Sequence, residues 1–145
     1  MLRRLTRLGK EHPEVWIIAW AIWLLSLWFL SAGTQGAENT PDIPHLDKVA
    51  HFGYFFGGGG LLCGWLRHQF SQLSALRCIT ITTLVCSLVG IMDEYHQTFT
   101  PGRLGNDFGD WLADTLGSLS AAVVMIIILK YTATWSNNQS QSFSR

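Results

Sequence analysis

The chain has 145 residues, of which 48% are hydrophobic and only 14% are charged, and its formal net charge is zero. A soluble domain usually carries about 25% charged residues, so the composition argues against an ordinary water-soluble domain. Because the neutral chain offers no basic surface, it also argues against a nucleic-acid-binding protein. The length allows one domain, and we see no internal repeat.

The first apolar run covers residues 15–32 and contains no charge, and it follows a basic segment at residues 1–14. At about 1.5 Å per helical residue, this run nearly spans a bilayer core of roughly 30 Å. The small residues Ser31, Ala32 and Gly33 leave a cleaved signal peptide as the alternative. A transmembrane helix is favoured because the run is long and rich in tryptophan, and because further apolar runs follow it.

The second apolar run, residues 49–66, contains His51 as its only ionisable residue. It is rich in glycine, which a membrane helix can use to bring a neighbouring backbone close. A phosphate-binding loop is disfavoured because no GK[ST] sequence follows the glycines. Four glycines recur at spacings of four, three and four, which predicts one helix face that serves an internal contact or a homo-oligomer: Gly53, Gly57, Gly60 and Gly64.

The third and fourth runs, residues 76–97 and 108–131, each have acidic residues at the ends that face one another along the chain. Pro101 and Gly102 lie between them and predict a tight turn, and therefore an antiparallel helical hairpin. The polar residues 132–145 are predicted to form a disordered tail. The sequence thus predicts an all-α polytopic membrane bundle with four transmembrane helices within residues 15–131.

The three cysteines, Cys63, Cys78 and Cys86, show no CxxC spacing and lie in or beside apolar runs. This pattern supports neither a disulfide framework nor a zinc site. We therefore expect three small buried apolar side chains.

The basic residues divide unequally between the two sides of this four-helix topology. Eight of the ten lie on the side of the two termini, and only Lys48 and Arg103 lie on the other side. Since positively charged loops stay in the cytoplasm, this asymmetry predicts that both termini are cytoplasmic.

Polar residues from three distant segments should meet at the outer membrane boundary. Residues three or four positions apart share a helix face, so each segment can turn its polar side chains inward. A charged residue at the centre of a membrane helix costs about 2.5–3.5 kcal/mol, and such residues normally find a partner. The residues expected in this polar cluster are Asp47, Lys48, His51, Asp93, Glu94, Gln97, Arg103, Asp110 and Asp114.

Three motifs carry a family resemblance: DKVAHF at residues 47–52, DEYHQ at 93–97 followed by PGR at 101–103, and DWLADTLG at 110–117. With these motifs, the chain resembles the VanZ-like family of bacterial membrane proteins over roughly residues 15–130. The resemblance implies a multi-pass protein of the bacterial cytoplasmic (inner) membrane with a role in the cell envelope. The family's namesake is associated with resistance to the glycopeptide teicoplanin, and membership implies no established reaction. Many relatives have Asn where this chain has Asp114.

Several interpretations of the polar cluster stay open. It could be a structural lock, in which Arg103 bridges Glu94 and Asp110 or Asp114 and His51 bonds the third helix. It could bind the phosphate or pyrophosphate of a lipid-linked ligand, or a glycopeptide-like ligand. A catalytic version would use His51 or His96 as general acid or base. Proton transport is disfavoured because the inner halves of the helices carry no charge.

Among these interpretations we expect ligand binding. The chain would then be an integral membrane protein whose extracytoplasmic site contacts a lipid-linked envelope ligand. The expected partners are membrane lipids and no nucleic acid, and whether the protein is an enzyme stays undecided, with no catalytic residue assigned. The sequence predicts no cofactor and no metal ligand, although a divalent cation could accompany a bound phosphate.

Overall fold

The computed structural model describes residues 11–33, 44–103 and 105–142, and the side chains of the last helix up to residue 133. Within these residues the chain forms four α-helices and no strand, which confirms the all-α prediction. Each predicted apolar run falls inside one helix. The helices are α1 (Glu14–Ala32), α2 (Leu46–Gln69), α3 (Ala75–Gln97) and α4 (Phe108–Ser142).

Three of the helices are long and apolar enough to cross a membrane, namely α1, α3 and the part Phe108–Ala133 of α4. Helix α2 has 24 residues, but its glycines, His51 and its charged ends make it less apolar. It packs against all three other helices, and most extensively against α4. Because neighbouring helices cover much of its surface, α2 can carry small and polar residues that a lipid-facing helix would not.

Large apolar side chains lie on the outside of the bundle. Ile22 on α1 is 62% exposed, and Leu84 and Leu88 on α3 are 60% and 61% exposed. In water, so many exposed apolar residues would form an aggregation-prone surface. In a bilayer they would face lipid tails, which is the pattern expected of a membrane protein.

Close helix packing uses only part of the predicted glycine face, together with glycines outside it. A Cβ atom added at Gly59 would lie 2.7 Å from the α4 backbone, and one at Gly64 would lie 2.6 Å from an indole ring of α1. By contrast, Cβ atoms at Gly53 and Gly57 would meet no atom of the described residues within 4 Å. The expectation of an internal contact is therefore wrong for Gly53 and Gly57, because the rotation of α2 turns the face with Gly58 and Gly59 inward. The homo-oligomer stays a prediction.

The connection between α3 and α4 is the predicted tight turn. The Arg103 backbone N–H donates to the carbonyl of Thr100 at 3.1 Å, and Gly102 has a φ of 83°. Proline at the second position and a glycine with positive φ at the third are typical of a type II turn. The turn brings the end of α3 beside the start of α4, where the Asn106 N–H donates to the Glu94 carbonyl at 3.3 Å.

The three cysteines are free and fully buried, as predicted. At the other end of the chain, α4 remains helical through Ser142, within the segment predicted to be a disordered tail. Adding residues to an existing helix is much easier than starting one, which accounts for this extension through a polar sequence. The predicted basic segment at residues 1–14 lies largely outside the described residues.

Candidate functional site

The start of α2, the end of α3 and the start of α4 lie at the same end of the bundle, with the α3–α4 turn beside them. The structure brings all nine residues of the polar cluster to this end. It also adds Asp107, which directly precedes α4 and was not among the nine.

Lys48 is the centre of the ionic contacts. Its ammonium group donates to one carboxylate oxygen each of Asp47, Asp107 and Asp110, at 3.0 Å in every case. The Asp110 side chain is 11% exposed, whereas Asp47 and Asp107 are about half exposed. Since Lys48 belongs to α2 and Asp110 to α4, this group ties the two most extensively packed helices together.

Asp107 has two structural functions at the start of α4. Its side chain accepts a hydrogen bond from the Gly109 N–H at 2.6 Å, as the N-cap of a helix does. Its own N–H donates to the Glu94 carboxylate at 2.7 Å. The hydrogen bond from Lys48, and then that from Gly109, hold the pKa of the Asp107 carboxyl below its ordinary value. An acidic residue directly before an apolar run is the signal that could have identified it.

His51 is bonded to the most deeply buried acid of the cluster. Its Nδ1 lies 3.0 Å from Asp114 Oδ1, and Asp114 is fully buried. Gly90 on α3 makes room for this carboxylate, because a Cβ atom there would lie 2.8 Å from Asp114 Oδ2. The expectation that His51 bonds the third helix is wrong, since its partner belongs to α4. The other ring nitrogen, Nε2, lies 4.0 Å from Asp110 Oδ2.

Two buried carboxylate oxygens have no hydrogen-bond partner among the described residues. One is Oε1 of Glu94, a residue that is 4% exposed, and the other is Oδ2 of Asp114. Buried polar atoms in proteins nearly always find a partner, so each exception needs a physical explanation.

Arg103 does not occupy the central position that the sequence suggested. Its guanidinium donates to the Leu30 carbonyl of α1 at 3.4 Å, and it forms no ion pair with any residue that the structure describes. The predicted bridge from Arg103 to Glu94 and Asp110 or Asp114 is therefore wrong. The type II turn carries Arg103 toward α1, and Lys48 takes the place between the carboxylates.

A cavity of about 430 Å³ opens among these residues, and we call it the end cavity. Asp93 and Gln97 form part of its wall and are hydrogen-bonded to each other at 2.8 Å. Apolar and aromatic side chains from α1 and α2 also line the cavity. The lining residues are Leu27, Leu30, Ser31, Asp47, Ala50, His51, Tyr54, Phe55, Asp93, Gln97, Gly102, Arg103, Gly105, Asp107 and Asp110.

Sequence reasoning missed two side-chain contacts near the cluster, one polar and one aromatic. Ser87 on α3 accepts hydrogen bonds at 3.0 Å from the Trp111 indole and from the Thr115 hydroxyl of α4. His96, a candidate acid or base, stacks on Trp28 with ring centres 3.8 Å apart. A buried tryptophan N–H usually needs a hydrogen-bond acceptor, so Trp111 in its apolar helix was the sequence signal for the contact with Ser87.

The charge balance limits what the site can bind. The polar cluster contains five acids, and Asp107 makes six, whereas Lys48 and Arg103 are its only permanent cations. Lys48 already contacts three of these acids. A bare anion is therefore disfavoured next to the carboxylates, and a cation, or a ligand that brings hydrogen-bond donors, is favoured. Two groups of side chains have potential metal-ligand atoms within 4.8 Å of one another. The first group combines one histidine nitrogen with two carboxylates, those of His51, Glu94 and Asp110. The second group contains carboxylates alone, those of Asp47, Asp107 and Asp110.

Comparison with known proteins identifies a family. No curated protein and no solved structure matches the chain. The sequence model of the VanZ/LLP1 family matches residues 6–133, which include all four helix starts and the whole polar cluster. The chain is therefore a member of the VanZ/LLP1 family.

Proposed function

We propose that this chain is a four-span protein of the bacterial inner membrane that binds the polar head of an envelope lipid in the end cavity. Both termini would lie in the cytoplasm, and the cavity would open at the extracytoplasmic face. The observation that carries the proposal is the mixed lining of the cavity, which combines apolar and polar side chains. A ligand with an apolar chain and a polar head matches that lining.

The apolar lining residues of the end cavity include Leu27, Leu30 and Phe55, and the polar ones include His51 and Gln97. Its volume of about 430 Å³ falls within the range of about 300–1,000 Å³ that is usual for small-molecule sites. A lipid chain could run beside α1, whose outward residues are apolar, while the head enters the cavity.

The charges suggest what the head contains. Arg103 lines the cavity and forms no ion pair with a described residue, so its guanidinium can bind a phosphate. Asp47 and Asp93 also line the cavity and can accept hydrogen bonds from hydroxyl or amine groups. A polyprenyl phosphate that carries a sugar offers both kinds of group, and we propose this ligand class.

Binding can be measured with purified full-length protein in nanodiscs that contain a sugar-linked polyprenyl phosphate, with the phosphate-free polyprenyl sugar as the comparison lipid. We expect the phosphate lipid to be retained and the Arg103→Ala variant to lose at least about tenfold in affinity, the equivalent of about 1.4 kcal/mol. Equal retention of both lipids, or unchanged binding by a folded Arg103→Ala protein, would contradict the proposal. Teicoplanin in place of the lipid tests the glycopeptide-like alternative.

The proposed topology can be tested with two exposed loop residues, Phe99 after α3 and Gln72 between α2 and α3. The native cysteines are buried and need not be removed. In intact cells, an impermeant maleimide should label Phe99→Cys but not Gln72→Cys, and permeabilised cells should show labelling of both. The reverse pattern would place the end cavity in the cytoplasm.

A structural lock is the second candidate, and the contacts of Lys48 favour it. Lys48 joins α2 to Asp110 at the start of α4 and to Asp107, which directly precedes that helix. The two functions can coexist, since Lys48 acts between the helices and Arg103 faces the cavity. The contacts among the described residues assign no reaction to the site.

A further inference from the structure

We propose that His51, Glu94 and Asp110 bind a divalent transition-metal ion, and that Asp114 orients the imidazole for this purpose. The three residues come from three different helices, and a ligand atom of each lies within 4.8 Å of the others. Metal binding here depends on the positions of these side chains alone and does not require the lipid proposed above.

The histidine has the arrangement that metal ligands usually have. If its Nδ1–H donates to Asp114 Oδ1, at 3.0 Å, the lone pair of Nε2 is free to bind a metal. Metal-bound histidines almost always donate their other N–H to a carboxylate, a carbonyl or a water. Nε2 faces Asp110, whose Oδ2 is 4.0 Å away, and both residues line the end cavity, which gives an ion access.

The carboxylate of Glu94 provides an independent indication that a cation can bind here. One carboxylate oxygen accepts from the Asp107 N–H, whereas the other is buried and has no partner among the described residues. The residue is only 4% exposed, so water contributes little to its solvation. A carboxylate in such a place is costly unless a cation or a hydrogen-bond donor meets it.

Asp110 can serve Lys48 and a metal at the same time. Its Oδ1 accepts from the ammonium group at 3.0 Å, which leaves Oδ2 on the side of His51. The other acidic group, Asp47, Asp107 and Asp110, is not a comparable site, because the Lys48 ammonium already lies among its oxygens.

One imidazole nitrogen and two carboxylate oxygens favour Zn²⁺ or Mn²⁺ over Ca²⁺, which prefers oxygen ligands alone. Zinc binds such ligands at about 2.0–2.2 Å, so the three side chains would move slightly closer together around the ion. Water from the end cavity can complete the coordination.

The test uses purified full-length protein in detergent, stripped with a chelator and titrated with Mn²⁺ under electron paramagnetic resonance, without added lipid. We expect saturable binding of about one ion per chain, a nitrogen coupling from His51, and displacement by Zn²⁺. Glu94→Gln and His51→Gln should each weaken binding at least about tenfold. His96→Gln and Glu14→Gln are matched controls that should bind normally, since His96 stacks on Trp28 and Glu14 lies at the start of α1.

Asp114→Asn should weaken binding by about 10–100-fold, the usual effect of losing a partner of a metal-bound histidine. Thermal melting of each metal-free variant identifies any that fail to fold, and Glu94→Gln should melt at or above the wild-type temperature because it removes an uncompensated buried charge. Absence of saturable Mn²⁺ and Zn²⁺ binding by the wild type would overturn the proposal. Wild-type affinity in a folded Glu94→Gln protein would do so too. Because no lipid is present, these results are separate from the lipid-binding test.

Discussion

Replacement of Lys48 by methionine tests the ionic link between α2 and α4. The change keeps an unbranched side chain and removes the ammonium group from three carboxylates at 3.0 Å. A hydrogen bond between a charged group and a buried partner such as Asp110 contributes about 1.5–3 kcal/mol, and each exposed ion pair contributes about 0.2–1 kcal/mol. We expect Lys48→Met to lower the free energy of unfolding by about 2–5 kcal/mol.

Arg103→Met is the matched control, because Arg103 makes one long bond of 3.4 Å to a carbonyl. It should cost less than about 1 kcal/mol. Unfolding can be followed by tryptophan fluorescence during titration of the detergent-solubilised protein with SDS. Unchanged stability of Lys48→Met, or an equal loss in Arg103→Met, would refute the assignment of Lys48 as the centre of the link.

Three further predictions concern packing, charge and buried hydrogen bonds. Gly117→Ala should cost about 1–3 kcal/mol, since its Cβ would collide with the Phe52 carbonyl, whereas Gly53→Ala should be tolerated because that position is open; SDS titration measures both. The pKa of Asp107 is lower in the folded protein than in the unfolded chain, so its ionised carboxylate stabilises the fold above the unfolded pKa of about 3.9. This stabilisation is lost as the pH falls through the folded pKa. The melting-temperature difference between wild type and Asp107→Asn, which retains the cap, should therefore shrink below about pH 4, and a constant difference would contradict this. Ser87→Ala should cost about 0.6–1.7 kcal/mol in the SDS titration, because it removes the acceptor of two hydrogen bonds, and no loss would show that those bonds are weak.

The helices were predictable because each apolar run is bounded by charged or turn-forming residues. Pro101 and Gly102 identified the α3–α4 turn, and helical spacing placed Asp93 and Gln97 on one face, where they are hydrogen-bonded. The location of the polar cluster followed from helix order alone, because antiparallel neighbours bring alternate helix ends together.

The partners within the cluster were not predictable, because they depend on helix rotation and turn direction. From the sequence, Lys48 and Arg103 are both cations at the same end of the bundle, and either could pair with the acids. In the structure only Lys48 lies between the carboxylates. The same limitation explains the glycines, since a rotation of α2 by one residue decides whether Gly57 or Gly58 faces α1. Spacing defines a helix face but does not determine which neighbour that face meets.

Photo-crosslinking from the wall of the end cavity tests lipid binding most directly. A photoreactive amino acid at Leu27 lies in the cavity wall, and one at Leu84, which is 60% exposed on α3, samples the general lipid surroundings. The account predicts that position 27 selectively captures a phosphate-bearing lipid, and that Arg103→Ala abolishes this selectivity. Capture of the same lipids from positions 27 and 84, with or without Arg103, would contradict it.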